Sequence, residues 1–186
     1  MSFNRSTILR LTTLLVIAFC ATTHAFDGKR KGFVAGFGLG FTPIASLSAD
    51  RLGIETTKSG FGANMLAGYA WDDRNMIVYE GSGCLSKVSE LGSSYVLQGL
   101  NGVGWYHYWG NSNRRVFTSV GIGLMVFSTE HWNVDGHGFG YSAGVGYEFL
   151  KQLQVGLYYA GGHTSNDYGV SANHTVLNLL VTLVAY

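Results

Sequence analysis

The sequence predicts an all-β protein, an eight-stranded antiparallel transmembrane β-barrel. Three observations support this fold class. Large apolar residues alternate with small or polar residues along most of the chain, which is the period of a β-strand. Glycine accounts for 27 of the 186 residues, and so many glycines disfavour helices. After residue 25, no stretch of 18 uncharged apolar residues occurs, so the sequence contains no candidate for a membrane-spanning helix.

Composition and charge exclude several classes of protein. Charged residues make up 12% of the chain and hydrophobic residues 47%, whereas disordered chains are rich in charge and poor in apolar residues. The 12 Lys and Arg residues nearly balance the 11 Asp and Glu residues. This balance leaves no basic field that would attract a nucleic acid, so we expect no nucleic-acid partner.

Residues 1–25 have the three regions of a secretory signal peptide. Arg5 and Arg10 come first, an apolar run follows, and the small residue Ala25 ends the segment. The apolar run is too short to cross a bilayer as a helix. We therefore predict a cleaved signal peptide at 1–25 and a single barrel domain at 26–186. A buried N-terminal helix is the alternative.

Eight segments of the remaining chain show the alternation of a strand. In the first two segments the large apolar residues take the odd positions, and glycine takes many of the even positions. The fifth segment has the opposite parity, and the sixth returns to odd positions. The fourth segment is the least regular, because Gln98, Asn101 and His107 fit neither face cleanly. The predicted strands are 32–43, 59–71, 75–86, 95–109, 114–128, 137–149, 153–165 and 174–186.

The glycine-rich face of these strands indicates which side lines the interior. A strand of a soluble protein would present charged or polar residues to water on the face opposite its apolar one. Glycine instead suits the cramped interior of a closed eight-stranded barrel, where the bulky face meets lipid and closure pairs every backbone group. A two-sheet sandwich remains the alternative, because its strands have the same period.

The connections between the predicted strands alternate in length. Short turns lie on the periplasmic side of outer-membrane barrels, and longer loops lie outside. We therefore predict a bacterial outer-membrane location, with outer-membrane lipid and lipopolysaccharide as partners, and we expect a monomer without a cofactor or a metal. The chain ends at Tyr186, which resembles the terminal aromatic residue that the barrel-assembly machinery recognises. The short connections are 72–74, 110–113 and 150–152, and the long ones are 44–58, 87–94, 129–136 and 166–173.

The end of the seventh strand carries a short polar motif, His163-Thr164-Ser165-Asn166. Residues two apart on a strand point the same way, so His163 and Ser165 share the face assigned to lipid. The motif resembles the His-x-Ser-Asn motif of the PagL-like lipid A 3-O-deacylases, a family of eight-stranded outer-membrane barrels. Segments 116–128 and 143–149 also resemble that family.

The resemblance implies an enzyme that hydrolyses an acyl ester of lipid A at the outer leaflet. It assigns Ser165 as the nucleophile, His163 as the base and Asn166 as an oxyanion or structural group. The orienting group that such a base needs is a Glu on the last strand of the family, where this chain has Val176 and Leu177. The alternative is that His163 and Ser165 are polar residues at the point where a strand leaves the membrane.

Three functions therefore remain open. The chain is an integral outer-membrane protein whose loops bind something outside, or a lipid A acyl-ester hydrolase, or a passive channel for small apolar solutes. The channel has no support beyond the fold, because eight strands fill their own interior with side chains.

The remaining charged residues have a structural interpretation. Glu80 and Glu148 have inward parity, and because no inward Arg or Lys lies mid-strand, we expect water or a Tyr hydroxyl as their partner. Residues 29–31, Lys-Arg-Lys, are expected at the periplasmic edge beside lipid phosphates. The loop 131–137 contains two His and one Asp, but their spacing matches no dedicated metal site.

Overall fold

The computed structural model describes residues 30–49, 54–88, 94–110, 114–129, 135–165 and 171–186. These residues form eight antiparallel strands that close into a barrel, with each strand paired to the next and β8 paired to β1. The predicted fold class is confirmed, and the sandwich alternative is wrong. No helix among these residues is long and apolar enough to cross a membrane. The strands are β1 (Gly32–Ala49), β2 (Ile54–Ala70), β3 (Asn75–Val88), β4 (Ser94–Trp109), β5 (Arg115–Thr129), β6 (Asp135–Leu150), β7 (Leu153–Ser165) and β8 (Ser171–Ala185).

The connections between the strands lie at the two ends of the barrel. β1 begins and β8 ends at what we call the terminal end, where residues 71–74, 110–114 and 151–152 join consecutive strands. At the opposite, distal end the connections comprise residues 50–53, 89–93, 130–134 and 166–170, outside the described residues. The long distal loops predicted from the sequence were therefore too long, because their flanking residues continue the strands. The predicted signal peptide, 1–25, also lies outside the described residues and stays a prediction.

A bulge in β1 explains why the distal part of that strand was missed. The pairing register with β2 shifts between Thr42 and Ala45. Before the shift, Phe41 is exposed on the outward face; beyond it, Leu47 is buried in the interior. Because odd positions change faces at the bulge, a search for one uninterrupted alternation ends the strand at residue 43.

The outward face carries the bulky apolar side chains, as predicted. The most exposed are Phe33, Ile122 and Phe139, at 61%, 62% and 64%. The alternation also holds in β4, where Gln98 is buried while Asn101 and His107 lie on the outward side. The prediction that these three residues fit neither face was wrong, since each follows the parity of its strand.

The inward face is narrow because small residues meet side chains from across the barrel. A Cβ at Gly38 would overlap the side chains of Asn64 and Thr182, and a Cβ at Gly146 would overlap the ring of Phe117. Glycine therefore occupies these inward positions because of close approach, as the sequence predicts for a cramped interior.

Buried apolar side chains fill the interior at three heights. The terminal-end cluster comprises Val34, Leu66, Ala70, Met76, Val78, Tyr106, Tyr108, Phe117, Tyr158, Leu180, Val184 and Tyr186. The middle cluster comprises Ala45, Cys84, Leu100, Met125, Ala160 and Val176. The distal cluster comprises Leu47, Ala49, Val88, Val96, Phe127 and Ala172. Side chains thus occupy the interior from one end of the described barrel to the other.

Candidate functional site

His163 and Ser165 lie at the distal end of β7, and both are exposed on the outward face. Thr164 between them is buried in the interior. The two candidate residues therefore share a face, as the two-residue spacing predicts. Asn166 is outside the described residues, so its role stays a prediction.

The imidazole of His163 has an orienting partner on the neighbouring strand. Its Nδ1 lies 3.0 Å from Oδ1 of Asn173, in β8. Because an amide oxygen only accepts, Nδ1–H is the donor, which leaves Nε2 free to accept a proton from a nucleophile. Asn173 was not among the predicted site residues, because the last strand was predicted to begin at residue 174 and the expected partner was an acid further along that strand. Asn173 could have been predicted from its spacing to His163, because β7 and β8 pair across the connection 166–170 and residue 173 then lies opposite residue 163.

Ser165 lies between polar residues of both neighbouring strands. It pairs with His137 of β6 and with Ser171 of β8, and both of these residues are exposed. Within the described part of the chain no hydrogen bond joins Ser165 to His163, so a side-chain rotation would be needed to connect them. The structure therefore brings together a serine, two histidines and an amide at one rim of the barrel.

The positions that align with the family's acid do not contribute to this rim. Val176 is 2% exposed and points into the interior, and Leu177 lies on the outward face. A carboxylate is thus missing from this part of β8, and the neutral amide of Asn173 is the group that contacts His163. An amide can orient an imidazole, although it does not stabilise the imidazolium as a carboxylate does.

On the inward face, a chain of hydrogen bonds joins β7 and β8, the strands that carry His163 and Asn173. His174 Nδ1 donates to Oε1 of Gln98 at 3.4 Å, and His174 Nε2 then accepts from the hydroxyl of Thr164 at 2.7 Å. The ring of Phe127 lies 5.3 Å from that imidazole. This chain joins β4, β7 and β8 behind the outward-facing candidate residues.

At the terminal end, Arg30 is buried and forms an ion pair with Glu148. Its guanidinium lies 3.4 Å from the ring centroid of Tyr108 and 4.7 Å from that of Tyr186. The hydroxyl of Tyr186 also donates to Glu148, at 3.2 Å. Burial alone would lower the pKa of Arg30, but interactions with Tyr108 and Glu148 raise this pKa above its ordinary value.

These contacts correct two expectations. Arg30 was expected beside lipid phosphates, but its side chain enters the barrel because Glu148 needs a counter-charge there. Glu148 was expected to pair with water or a Tyr hydroxyl, and it pairs with the cation of Arg30 in addition to the hydroxyl of Tyr186. Glu80 faces the interior beside Tyr106, since a Cβ at Gly104 would contact both residues. The expected Tyr hydroxyl partner of Glu80 stays a prediction, because the hydroxyl of Tyr106 is buried without a hydrogen-bond partner among the described residues.

The described residues contain no group of three or more His, Cys, Asp or Glu side chains that could hold a metal ion. Most of the loop that holds two His and one Asp, residues 131–134, lies outside the described residues. The structure thus offers no candidate metal centre within its described ranges.

The comparisons with known proteins concern the barrel as a whole. The model of the outer membrane protein beta-barrel domain family matches residues 11–182. No curated protein matches the sequence. The structure is similar to Neisserial surface protein A, with 16% identity, a TM-score of 0.53, and coverage of 82% of this chain and 95% of that one. It is also similar to Ail, the attachment invasion locus protein of Yersinia pestis, with 12% identity, a TM-score of 0.49, and coverage of 82% and 99%.

Proposed function

Because the chain belongs to the family of outer membrane protein β-barrel domains, we propose that it is a non-conducting barrel that acts through its distal rim. The barrel is an integral protein of the bacterial outer membrane. In such barrels the shorter connections lie on the periplasmic side. The two-residue turn 151–152 is shorter than every distal connection, which supports an orientation in which the distal end, with His163 and Ser165, faces the outer leaflet and the cell exterior.

The observation that supports this proposal is that side chains fill the interior of the barrel. Tyr106, Tyr108 and Phe117 are completely buried within the terminal-end cluster, and Arg30 with Glu148 closes the space beside them. An eight-stranded barrel is just wide enough for such side chains. A solute would have to displace three successive clusters, so the interior favours an anchor over a passive channel. What remains available to a ligand is the outside of the barrel and its distal connections.

Conductance measurements test this proposal. The refolded protein, inserted into planar lipid bilayers, is expected to give no current steps above the bare membrane. The doubly substituted Tyr106→Ala/Phe117→Ala protein removes two rings from one cluster, and a current in this variant alone would support the assignment of the cluster as the barrier. Reproducible steps in the unsubstituted protein would contradict the proposal.

A second candidate function is hydrolysis of a lipid A acyl ester, and the contact between His163 and Asn173 favours it. In this scheme the Ser165 hydroxyl attacks the ester carbonyl while His163 Nε2 accepts the hydroxyl proton. The ester C–O bond then breaks, and the imidazolium returns the proton to the leaving alkoxide of lipid A. Water hydrolyses the resulting acyl-serine, with His163 again accepting and returning the proton, and releases the fatty acid. Asn173 holds the imidazole in the required tautomer. The outward-facing rim would present these groups to the outer leaflet, where lipopolysaccharide carries its acyl esters.

Acyl release from lipid A tests the second candidate. The refolded barrel is incubated with lipid A in detergent micelles, and loss of the 3-O-acyl chain is followed by mass spectrometry. Ser171→Ala is the matched control, because Ser171 lies directly opposite Ser165 on β8 and is also exposed. We expect release by the unsubstituted protein and by Ser171→Ala, and none by Ser165→Ala. No release at all, or equal release from Ser165→Ala, would contradict the candidate.

A further inference from the structure

A groove on the outward face crosses β2, β3 and β4. It has a volume of about 300 Å³, and Gly81, Gly83 and Gly99 lie within it. The side chains of Met65 on β2 and Leu97 on β4 border it and are 58% and 47% exposed. The groove therefore interrupts an outward face that is bulky on both sides of it.

The groove lies within the apolar belt of the barrel. Asn101 of β4 is one of its lining residues. Along β4, exposed apolar side chains lie on both sides of Asn101, with Leu97 toward the distal end and Trp105 toward the terminal end. Its neighbours on the two adjacent strands are Gly81 and Leu124, and Leu124 is 58% exposed. In the membrane-embedded barrel the half-buried side chain of Asn101 therefore meets hydrocarbon.

The packing of the barrel does not explain the missing side chain at Gly83. A Cβ at Gly83 would make only ordinary contacts, with the nearest atoms at 3.5 and 3.7 Å, whereas a Cβ at the inward Gly38 would overlap two side chains. Among the described residues, positive φ angles occur at Gly32 and Gly110, so the backbone conformation at Gly83 does not require glycine. Because glycine weakens the interior of a strand, the open space at Gly83 indicates a contact made from outside the barrel.

The amide of Asn101 has donors without a partner. An asparagine amide carries two N–H donors and one acceptor oxygen. The hydroxyl of Tyr79 donates to Oδ1 at 3.5 Å, and Nδ2 donates to no acceptor within the described ranges. Lipid tails contain no acceptor, and an unpaired donor in hydrocarbon is costly. A polar side chain at this depth therefore indicates a binding site, and its occupant must offer an acceptor.

We propose that the groove is the interface of a symmetric dimer, in which the Asn101 amides of two copies of this chain pair with each other. An amide is self-complementary, because across a two-fold axis each Nδ2 can donate to the Oδ1 of the other copy. A two-fold axis along the membrane normal keeps both copies in one orientation and places the two amides at the same depth. One contact thus supplies an acceptor to both copies.

The shape of the groove fits this arrangement. Two convex barrels touch first along a line, and side chains on that line would hold the barrels apart. At the groove these side chains are missing, so Met65 and Leu97 of each copy can also contact the other. Small residues allow close approach between membrane helices for the same reason. The proposed dimer replaces the monomer expected from the sequence, and it depends neither on the orientation of the barrel nor on hydrolysis at Ser165.

Energy transfer between barrels in lipid vesicles tests the dimer. Lys151→Cys in a Cys84→Ser background gives a single exposed labelling site after residue 25, in a terminal-end turn. Donor-labelled and acceptor-labelled proteins are mixed at decreasing protein-to-lipid ratios, and unlabelled protein is added as a competitor. Asn101→Leu removes the amide, and Gly83→Leu fills the groove. The matched control is Ala143→Leu, which adds the same side chain at an exposed outward position of β6.

We expect energy transfer that persists at low protein-to-lipid ratios and that unlabelled protein abolishes. Asn101→Leu should weaken dimerisation about tenfold, because two hydrogen bonds between membrane-embedded groups are together worth about that factor. Gly83→Leu should weaken dimerisation at least as much, and Ala143→Leu should leave it unchanged. Migration of the unheated protein on a denaturing gel reports whether each variant is folded.

Other results would overturn the proposal in distinguishable ways. Energy transfer that unlabelled protein does not reduce would show that the barrels meet by chance. A second copy would then not occupy the groove, which lipid tails would fill, and the non-conducting barrel would remain intact. A dimer unaffected by Asn101→Leu and by Gly83→Leu would overturn the assignment of the interface to the groove. Equal weakening by Ala143→Leu would overturn that assignment as well.

Discussion

One buried ion pair at the terminal end joins Arg30, two residues before β1, to Glu148 of β6. Arg30 and Glu148 are both nearly inaccessible, and two tyrosine rings surround the guanidinium. A buried charge is tolerated because its counter-charge and hydrogen-bond partners are in place. Parity alone predicted that Glu148 points inward. It could not predict its partner, because Arg30 lies outside the strand pattern and reaches β6 only when the barrel closes.

Removal of one member of this pair should destabilise the barrel more than removal of both. Arg30→Gln leaves Glu148 buried without a cation, which costs about 3–5 kcal/mol for a buried pair. In Arg30→Gln/Glu148→Gln neither charge remains, so most of that loss should be recovered. Urea unfolding in lipid vesicles, followed by tryptophan fluorescence, measures the free energy of unfolding. A double variant at least as unstable as Arg30→Gln would contradict this interpretation.

At the scale of the element, the turn between β2 and β3 is organised by one carboxylate. Oδ1 of Asp72 accepts from the backbone amides of Arg74 and Asn75, each at 2.7 Å. The side-chain amide of Asn75 donates to both carboxylate oxygens, at 3.0 and 2.9 Å. The Asn75 side chain, and then these backbone donors, hold the pKa of Asp72 below its ordinary value.

This lowered pKa gives a pH dependence with a defined sign. The stabilisation from Asp72 is fully present above the ordinary carboxyl pKa of about 4 and is lost as the pH falls through the lower folded value. Asp72→Ala should therefore be less stable than the unsubstituted barrel at pH 7, and the difference should shrink at about pH 3. Unfolding curves at the two pH values provide the measurement. A difference that grows on acidification would be inconsistent with the turn geometry.

The sequence predicted the membrane-facing parts of the strands better than their distal extensions. In the middle of each strand, lipid outside and crowding inside impose bulky and small residues in strict alternation. Beyond the membrane the outward face meets water, so it carries Ser46 and Lys87 while the inward face carries Leu47 and Val88. A pattern defined by bulky outward residues therefore ends too early. Asn173 was missed for the same reason, since it lies in such an extension.

For the whole molecule, the exposed apolar surface and the filled interior belong together. A barrel with Phe, Ile and Leu on its outside is stable only where that surface meets hydrocarbon. The barrel can enter hydrocarbon because closure pairs the N–H and C=O groups of its backbone. The side chains inside the barrel form the packed core, which in a two-layer fold would lie between the two layers. This arrangement was predictable from parity and glycine content. The contents of the interior were not, because they depend on which inward residues of distant strands meet at the same height.

The most direct test of this arrangement compares how an outward-facing arginine changes the free energy of unfolding at two depths in the bilayer. Ile122 lies on the outward face in the middle of β5, and Ser48 lies near the distal end of β1. Ile122→Arg should lower the free energy of unfolding in lipid vesicles by about 2–4 kcal/mol, and Ser48→Arg should change it by at most about 1 kcal/mol. Similar small changes at both positions would show that the bulky outward face does not meet hydrocarbon, and the membrane-embedded barrel would be contradicted.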